Sequence, residues 1–157
     1  MAEKNQQEKE LLLIDANSLI HRAFHALPPL TNKGGEPIRA IYGVASILLK
    51  IWRERRPSHA AALFDRPEPT FREREYPEYK AQRPPTPSEL IAQIKEAHAL
   101  FGAFGVKTAE TPGFEADDLI ATLAERFYGE ERVRIVILPG DLDSLQLVRG
   151  DRILVRI

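Results

Sequence analysis

The chain contains no cysteine, which excludes disulfide staples and thiolate metal sites. No apolar run approaches the ~20 residues needed to cross a bilayer, so no membrane partner is expected. The opening MAEKNQQEKE is polar and lacks the apolar centre of a signal peptide. A cytoplasmic protein is the expectation. An excess of either charge is also missing: 22 basic residues face 23 acidic ones, for a formal net charge of −1. The overall basic character common among nucleic-acid binders is therefore absent. Net charge hides distribution, however, and here the distribution is uneven.

What is present is a chain of 157 residues with 43% apolar and 29% charged side chains, enough for one domain with a proper core. Residues 1–10 read as a flexible tail. LLLID (11–15) is a short apolar run ending in an acid, as expected of a buried strand. Asn17 or Ser18 is positioned to cap a helix running to about His25. LPPLTNKGGEP (27–37) is turn-rich. From Ile38 to Trp52 the apolar residues recur at spacings of three and four, predicting an amphipathic helix. HAAALFD (59–65) is a second apolar run ending in an acid. Residues 66–85 hold five prolines, three aromatics and many charges, predicting a long exposed, arch-like loop. TPSE (86–89) has the form of a capping box, with Thr86 as cap and Glu89 reaching back, opening a helix to about Phe104. A short strand over 105–110, a helix from about Phe114 to Phe127, a strand at VRIVIL (133–138) and another at RILVRI complete the pattern. Strands alternate with helices and no internal repeat intervenes. The expectation is a three-layer α/β domain with a mainly parallel central sheet and helices on both faces.

GFEADDLIATLAERF places three carboxylates, Glu115, Asp117 and Asp118, within four positions at a helix start. Taken alone, acids in a first turn simply favour the helix dipole, and Glu115 with Asp118 lies opposite the apolar stripe, on a solvated face. The other acids change the weighing. One predicted strand ends in Asp15, a second in Asp65, and a third is followed by Asp141 and Asp143. In an open parallel sheet, ligands bind beyond the carboxyl ends of the strands. Seven carboxylates would share one crevice. Two unit charges about 4 Å apart repel by roughly 4 kcal/mol at an effective dielectric near 20. Either some stay protonated or hard cations neutralise them. Oxygen-only donors suit Mg²⁺ or Mn²⁺, and such ions commonly serve phosphodiester chemistry.

Basic counterparts exist. Arg39, Lys50, Arg53, Arg55 and Arg56 follow one another in residues 39–56, either as a solvated helix end or as phosphate contacts. The 66–85 loop carries Arg66, Arg72, Arg74, Lys80 and Arg83 among Phe71, Tyr76 and Tyr79, a mixture that suits single-stranded nucleic acid. Four glutamates dilute it. Arg22, two turns into the first helix, is within reach of the crevice. His21 and His25 flank it and read as packing or surface residues.

The order of LLLIDANSLIHRAFHALPPLTNKGGEP, IYGV, ALFD, TFRxxxYPEYKAQRPPTP, GFEADD and GDLDSLQL resembles the N-terminal part of the 5′-nuclease (5′-3′ exonuclease) domain of bacterial DNA polymerase I, in the flap endonuclease superfamily with its PIN-like fold. The resemblance spans Leu11 to Leu147. It implies metal-dependent hydrolysis of DNA phosphodiesters at a 5′ end, flap or single-stranded branch, in DNA replication and repair. It assigns Asp15, Asp65, Glu115, Asp117, Asp118, Asp141 and Asp143 to two Mg²⁺ or Mn²⁺ ions, some of them through water. It assigns Lys80 to the scissile phosphate, Arg22 and Arg83 to phosphate contacts, and Arg72 to the DNA-binding loop. Tyr79 stacks on a base or packs. Two departures stand out: Pro139 where the family has threonine or serine, and Leu142 where it often has lysine. The family continues past this length with further aspartates and a helix-hairpin-helix region. The expectation is thus of a truncated catalytic subdomain. The alternative is a nucleic-acid-binding or scaffold module that needs a partner for the missing helix-hairpin-helix or polymerase region. A phosphotransfer receiver also gathers acids at strand ends, but it would need a lysine closing the last strand, and Arg156 stands there.

Overall fold

A computed structural model describes residues 8–156 of the chain. It contains five strands: β1 (Lys9–Asp15), β2 (His59–Leu63), β3 (Lys107–Ala109), β4 (Val133–Leu138) and β5 (Ile153–Val155). Five α-helices connect them: α1 (Ala16–Ala26), α2 (Arg39–Glu54), α3 (Phe71–Glu75), α4 (Ser88–Ala103) and α5 (Ala116–Tyr128), with a 3-10 helix over Leu142–Leu147. Every pairing is parallel and the strand order is β3-β2-β1-β4-β5. Parallel strands covered on both faces read as unbroken apolar runs, and LLLI is such a run. Its side chains alternate. Leu12 and Ile14 point to one face, where α1, α2 and α4 pack; Leu13 points to the other, where α5 packs. All three are fully buried. Truncating one to alanine costs about 2–5 kcal/mol.

Two close approaches fix the helical layer on the first face. A Cβ on Gly43 would stand 2.8 Å from the Cβ of Ala23, so only glycine lets α2 lie this near α1. Gln93 of α4, also buried, accepts a hydrogen bond at 2.8 Å from the backbone N–H of Ala40. It satisfies an orphan donor at the start of α2 from a different helix.

The differences from expectation are local. β1 already begins at Lys9, so the tail reading of 1–10 fails for its last residues; residues 1–7 lie outside the described residues. Asp15, not Asn17 or Ser18, caps α1. The box at Thr86 does not form. The residue before a proline is pushed to extended backbone, α4 starts at Ser88 without a side-chain cap, and Glu89 pairs instead with Arg39 at 3.5 Å. The 66–85 segment is not loop throughout, since Thr70 caps the short α3 within it. Among the described residues no helix is long and apolar enough to cross a membrane.

A candidate metal and phosphate site at the carboxyl end of the sheet

The chain leaves β1 toward β2 and β3 and returns on the other side of β1 as β4. The carboxyl ends of β1 and β4 therefore flank the point where the winding reverses, the usual place for a ligand crevice in such sheets. Asp15 ends β1 there and is almost wholly buried. The N–H of Ser18 donates to its Oδ1 at 2.9 Å and the Ser18 hydroxyl to its Oδ2 at 2.8 Å. Burial pushes the Asp15 carboxyl above its ordinary range. The Ser18 bonds oppose this, and the charges of Asp65 and Asp141 add to it. Gly140 follows β4 so closely that a Cβ on it would collide with Asp15 Oδ2 and Ser18 Oγ.

Asp65 lies just past β2. Its N–H donates to Asn17 Oδ1 at 3.1 Å, and its own Oδ1 accepts from the N–H of Ala116 at 2.7 Å, at the positive end of the α5 dipole. Glu115 is buried rather than solvated as expected. Lys80 Nζ reaches its Oε2 at 2.8 Å and the Tyr79 hydroxyl lies 3.3 Å away. Lys80 is thus half-buried and engaged, not free in an exposed loop. It holds this position with a left-handed backbone, φ 60°, a costly conformation for a residue with a Cβ. Burial works against its charge, but the bond and charge of Glu115 win and raise its pKa.

Asp117 has the opposite fate. Its Oδ1 is buried with no hydrogen-bond partner. Burial first, then the charges of Asp15, Asp141, Asp65 and Glu115, push its carboxyl up to about 6. Asp141 caps the 3-10 helix by accepting from the N–H of Asp143 at 2.9 Å, and both carboxylates are exposed.

Six of the seven expected acids, Asp15, Asp65, Glu115, Asp117, Asp141 and Asp143, line one cavity of about 270 Å³. Asp118 does not. It turns away to receive both arms of the Arg72 guanidinium at 2.6 and 2.7 Å, and Arg72 holds its pKa below the usual carboxylate range. Arg72, expected on DNA, is so far committed to that pair. Tyr79, Lys80 and Arg83 also line it, and so does Arg72, which stands 4.0 Å from Glu115 as well as on Asp118. A second cavity of about 680 Å³ shares Ser18, Asp65, Lys80, Arg83, Glu115 and Gly140 with the first and adds Arg22 and Arg66. Arg22 is steadied there by a 2.9 Å bond to the carbonyl of Pro139. His21 lines this second cavity while His25 is exposed. The acidic cavity therefore shares a wall with one where Arg22, Arg66, Lys80 and Arg83 face Asp65, Glu73 and Glu115, a small cationic excess.

Sequence reasoning missed the supports: Asn17 orienting Asp65, Ser18 pinning Asp15, and Thr70 standing 3.5 Å from Glu115. Only Ser18 left a signal, since an acid followed three residues later by a donor is a cap pattern.

Among the described residues no three histidine or acidic side chains stand close enough to hold a metal ion as placed. Like charges part where nothing neutralises them, and the Lys80 ammonium fills part of the gap beside Glu115. The residues nonetheless fit a hard divalent cation. The donors are all oxygens, Asp117 carries an unused buried one, and Gly140 leaves Asp15 the room that a side chain would take.

Residues 10–157 match the family of the 5′-3′ exonuclease, N-terminal resolvase-like domain. The chain belongs to that family. DNA polymerase I of Mycobacterium tuberculosis H37Rv is 44% identical over 150 residues, which are 94% of this chain and 16% of that protein. A 5′-3′ exonuclease of Aquifex aeolicus is 41% identical over 140 residues, 89% of this chain and 48% of that protein. This family member thus spans less than half the length of these relatives. T5 5′-exonuclease with bound zinc superposes with a TM-score of 0.65 at 21% identity, over 92% of this chain and 54% of that one. A T5 flap endonuclease in a pseudo-enzyme-product complex with DNA and metal ions gives 0.65 at 20%, over 92% and 53%. At that identity the likeness establishes the fold, and it is the three-layer, PIN-like α/β fold expected of the family.

Proposed function

We propose that this chain carries the divalent-metal-dependent catalytic part of a 5′-nuclease that hydrolyses DNA phosphodiesters at 5′ ends or flap junctions. The observation that carries the reading is the shared wall between a six-acid cavity and a cationic one, with a buried Asp117 oxygen unpartnered. Similarity to a 5′-3′ exonuclease and to DNA polymerase I supports it.

Asp15, Asp117 and Asp141, with Asp65, Glu115 and Asp143 around them, would hold Mg²⁺ or Mn²⁺, two ions in the full arrangement. Such cations lower the pKa of a water and offset charge on a phosphate. The chain's own residues do the rest. Ser18 keeps both Asp15 oxygens aimed across the gap. Asn17 and the first N–H of α5 keep Asp65 oriented. Lys80 is the group that must change partner, leaving Glu115 for a non-bridging phosphate oxygen. Arg83 and Arg22, in the second cavity, bind neighbouring phosphates as bidentate donors. Tyr79 stands where a base could lie against its ring. Asp118 and Arg72 clamp the loop to α5 and take no part in holding an ion.

A second reading is a DNA-binding module that is inactive without a helix-hairpin-helix or polymerase region. The Lys80–Glu115 pair favours it, since an ammonium occupies the Glu115 carboxylate while that pair stands. A 5′-flap oligonucleotide separates the two readings. Cleavage that needs Mg²⁺ or Mn²⁺ and disappears in Asp15→Asn supports the enzyme. Binding without cleavage by the chain alone, with cleavage restored by the C-terminal portion of a homologous nuclease, supports the module. Neither binding nor cleavage in either arm contradicts both.

A further inference from the structure

Arg22 faces two spaces. On one side it lines the cationic cavity of the site, and on the other a separate groove of about 260 Å³ between α1, α2 and the ends of β4 and β5. The groove has an apolar floor that includes Ile47, Ile51 and Leu138, and its cationic walls are Arg22, Lys50 and Arg156. One acid answers them. Glu54 accepts from Arg156 at 2.8 Å and lies 3.9 Å from Lys50. Residues 47, 50, 51 and 54 fall on one face of α2 by the spacing of a helix. Three cations against one carboxylate leave this face positive, directly beside the site and across the Arg22 ridge from it. None of these side chains except Arg22 belongs to the proposed chemistry, and α2's basic end is otherwise unassigned.

We propose that this groove is a track for the sugar-phosphate backbone of the DNA strand as it leaves the site over the α1–α2 face. The inference rests on the nuclease reading. Lys50 and Arg156 give phosphate contacts, which set affinity and register without reading sequence. Glu54 is the competitor that a phosphate displaces. A backbone suits the groove better than an acidic peptide because the cations run from the reaction cavity outward, where a phosphodiester chain must continue.

The test is fluorescence anisotropy of a fluorescein-labelled duplex bearing a 5′ single-stranded flap, titrated in EDTA across a range of KCl concentrations. Lys50→Ala and Arg156→Ala are each expected to weaken binding several-fold and to reduce the slope of log K against log salt by about 1. Glu54→Gln is expected to tighten binding, a gain that misfolding cannot produce. Unchanged affinity and slope in all three variants would overturn the proposal. If such variants also retain the metal-dependent cleavage of the unmodified chain, only the groove fails and the nuclease reading stands. A wild-type chain that neither binds nor cleaves the probe removes both.

Discussion

The two ends of the sheet treat charge in opposite ways. At the amino end Arg55 forks onto Glu10 at 2.7 and 2.8 Å, Arg134 meets Glu8 at 3.0 Å, and Arg152 gives its donors to the carbonyls of Val133, Tyr128 and Glu130. At the carboxyl end Asp117 keeps a buried oxygen without any partner and Asp15 has only Ser18. The chain has cations to spare near its acids, yet spends Arg72 on Asp118 and Arg66 on Glu68 and Glu110. Among the described residues, a buried acid oxygen without a partner is therefore found in one place and is not a matter of composition. A group left charged and desolvated is expensive, so the carboxyl end makes physical sense as half of a site whose other half is a cation.

The largest expected effect that sharpens the contrast is on cleavage. Asp15→Asn or Asp117→Asn should lower metal-dependent flap cleavage by at least ~100-fold, since even groups behind metal ligands cost 10–100-fold. Single-turnover rates at fixed Mn²⁺ check this, and near-wild-type rates would detach these acids from the chemistry. Lys80→Ala comes next. It should lower cleavage and also destabilise the metal-free chain by about 1–3 kcal/mol in urea, because buried Glu115 loses its cation. Saturating Mg²⁺ should return part of that stability. A variant with unaltered stability and rate would break the account of this pair.

Asp117→Asn should stabilise the metal-free chain by about 1 kcal/mol at pH 7, less than full linkage because the group is only half-buried. The sign follows from the raised pKa. The folded chain binds the Asp117 proton more tightly than the unfolded chain, so stability from this group is present below pH ~4 and lost as pH rises through about 6. The gain from the substitution should therefore fade on acidification from pH 7 to 4. A variant less stable than wild type at pH 7 would argue against repulsion. The smallest effect belongs to the other end. Arg55→Ala should cost about 0.5–1 kcal/mol, identically with and without Mg²⁺. A Mg²⁺-dependent cost there would erase the distinction between the ends.

Much of this contrast is legible in the sequence. Apolar runs ending in Asp15 and Asp65, and a third followed by Asp141 and Asp143, needed only the rule that parallel strands deliver their carboxyl ends to one edge. What stayed hidden depended on side-chain direction. Asp117 and Asp118 are adjacent in sequence, but successive helical residues point about 100° apart. One therefore enters the cavity while the other meets Arg72. Glu115 seemed solvated because the wheel shows only the helix and not the loop that Lys80 folds over it. Asn17 gave no sign of supporting Asp65, which lies 48 residues away. The contacts that pass between α1, the loop and α5 are made by tertiary closure, and no local pattern carries them.

The most direct test of the central claim is a calorimetric titration of the metal-free chain with Mn²⁺, run beside Asp117→Asn and Arg55→Ala. Saturable binding by the wild type and by Arg55→Ala, lost or much weakened in Asp117→Asn and accompanied by a rise in Tm only where binding occurs, is the predicted result. Absence of binding to the wild type, or equal binding to all three, would contradict it.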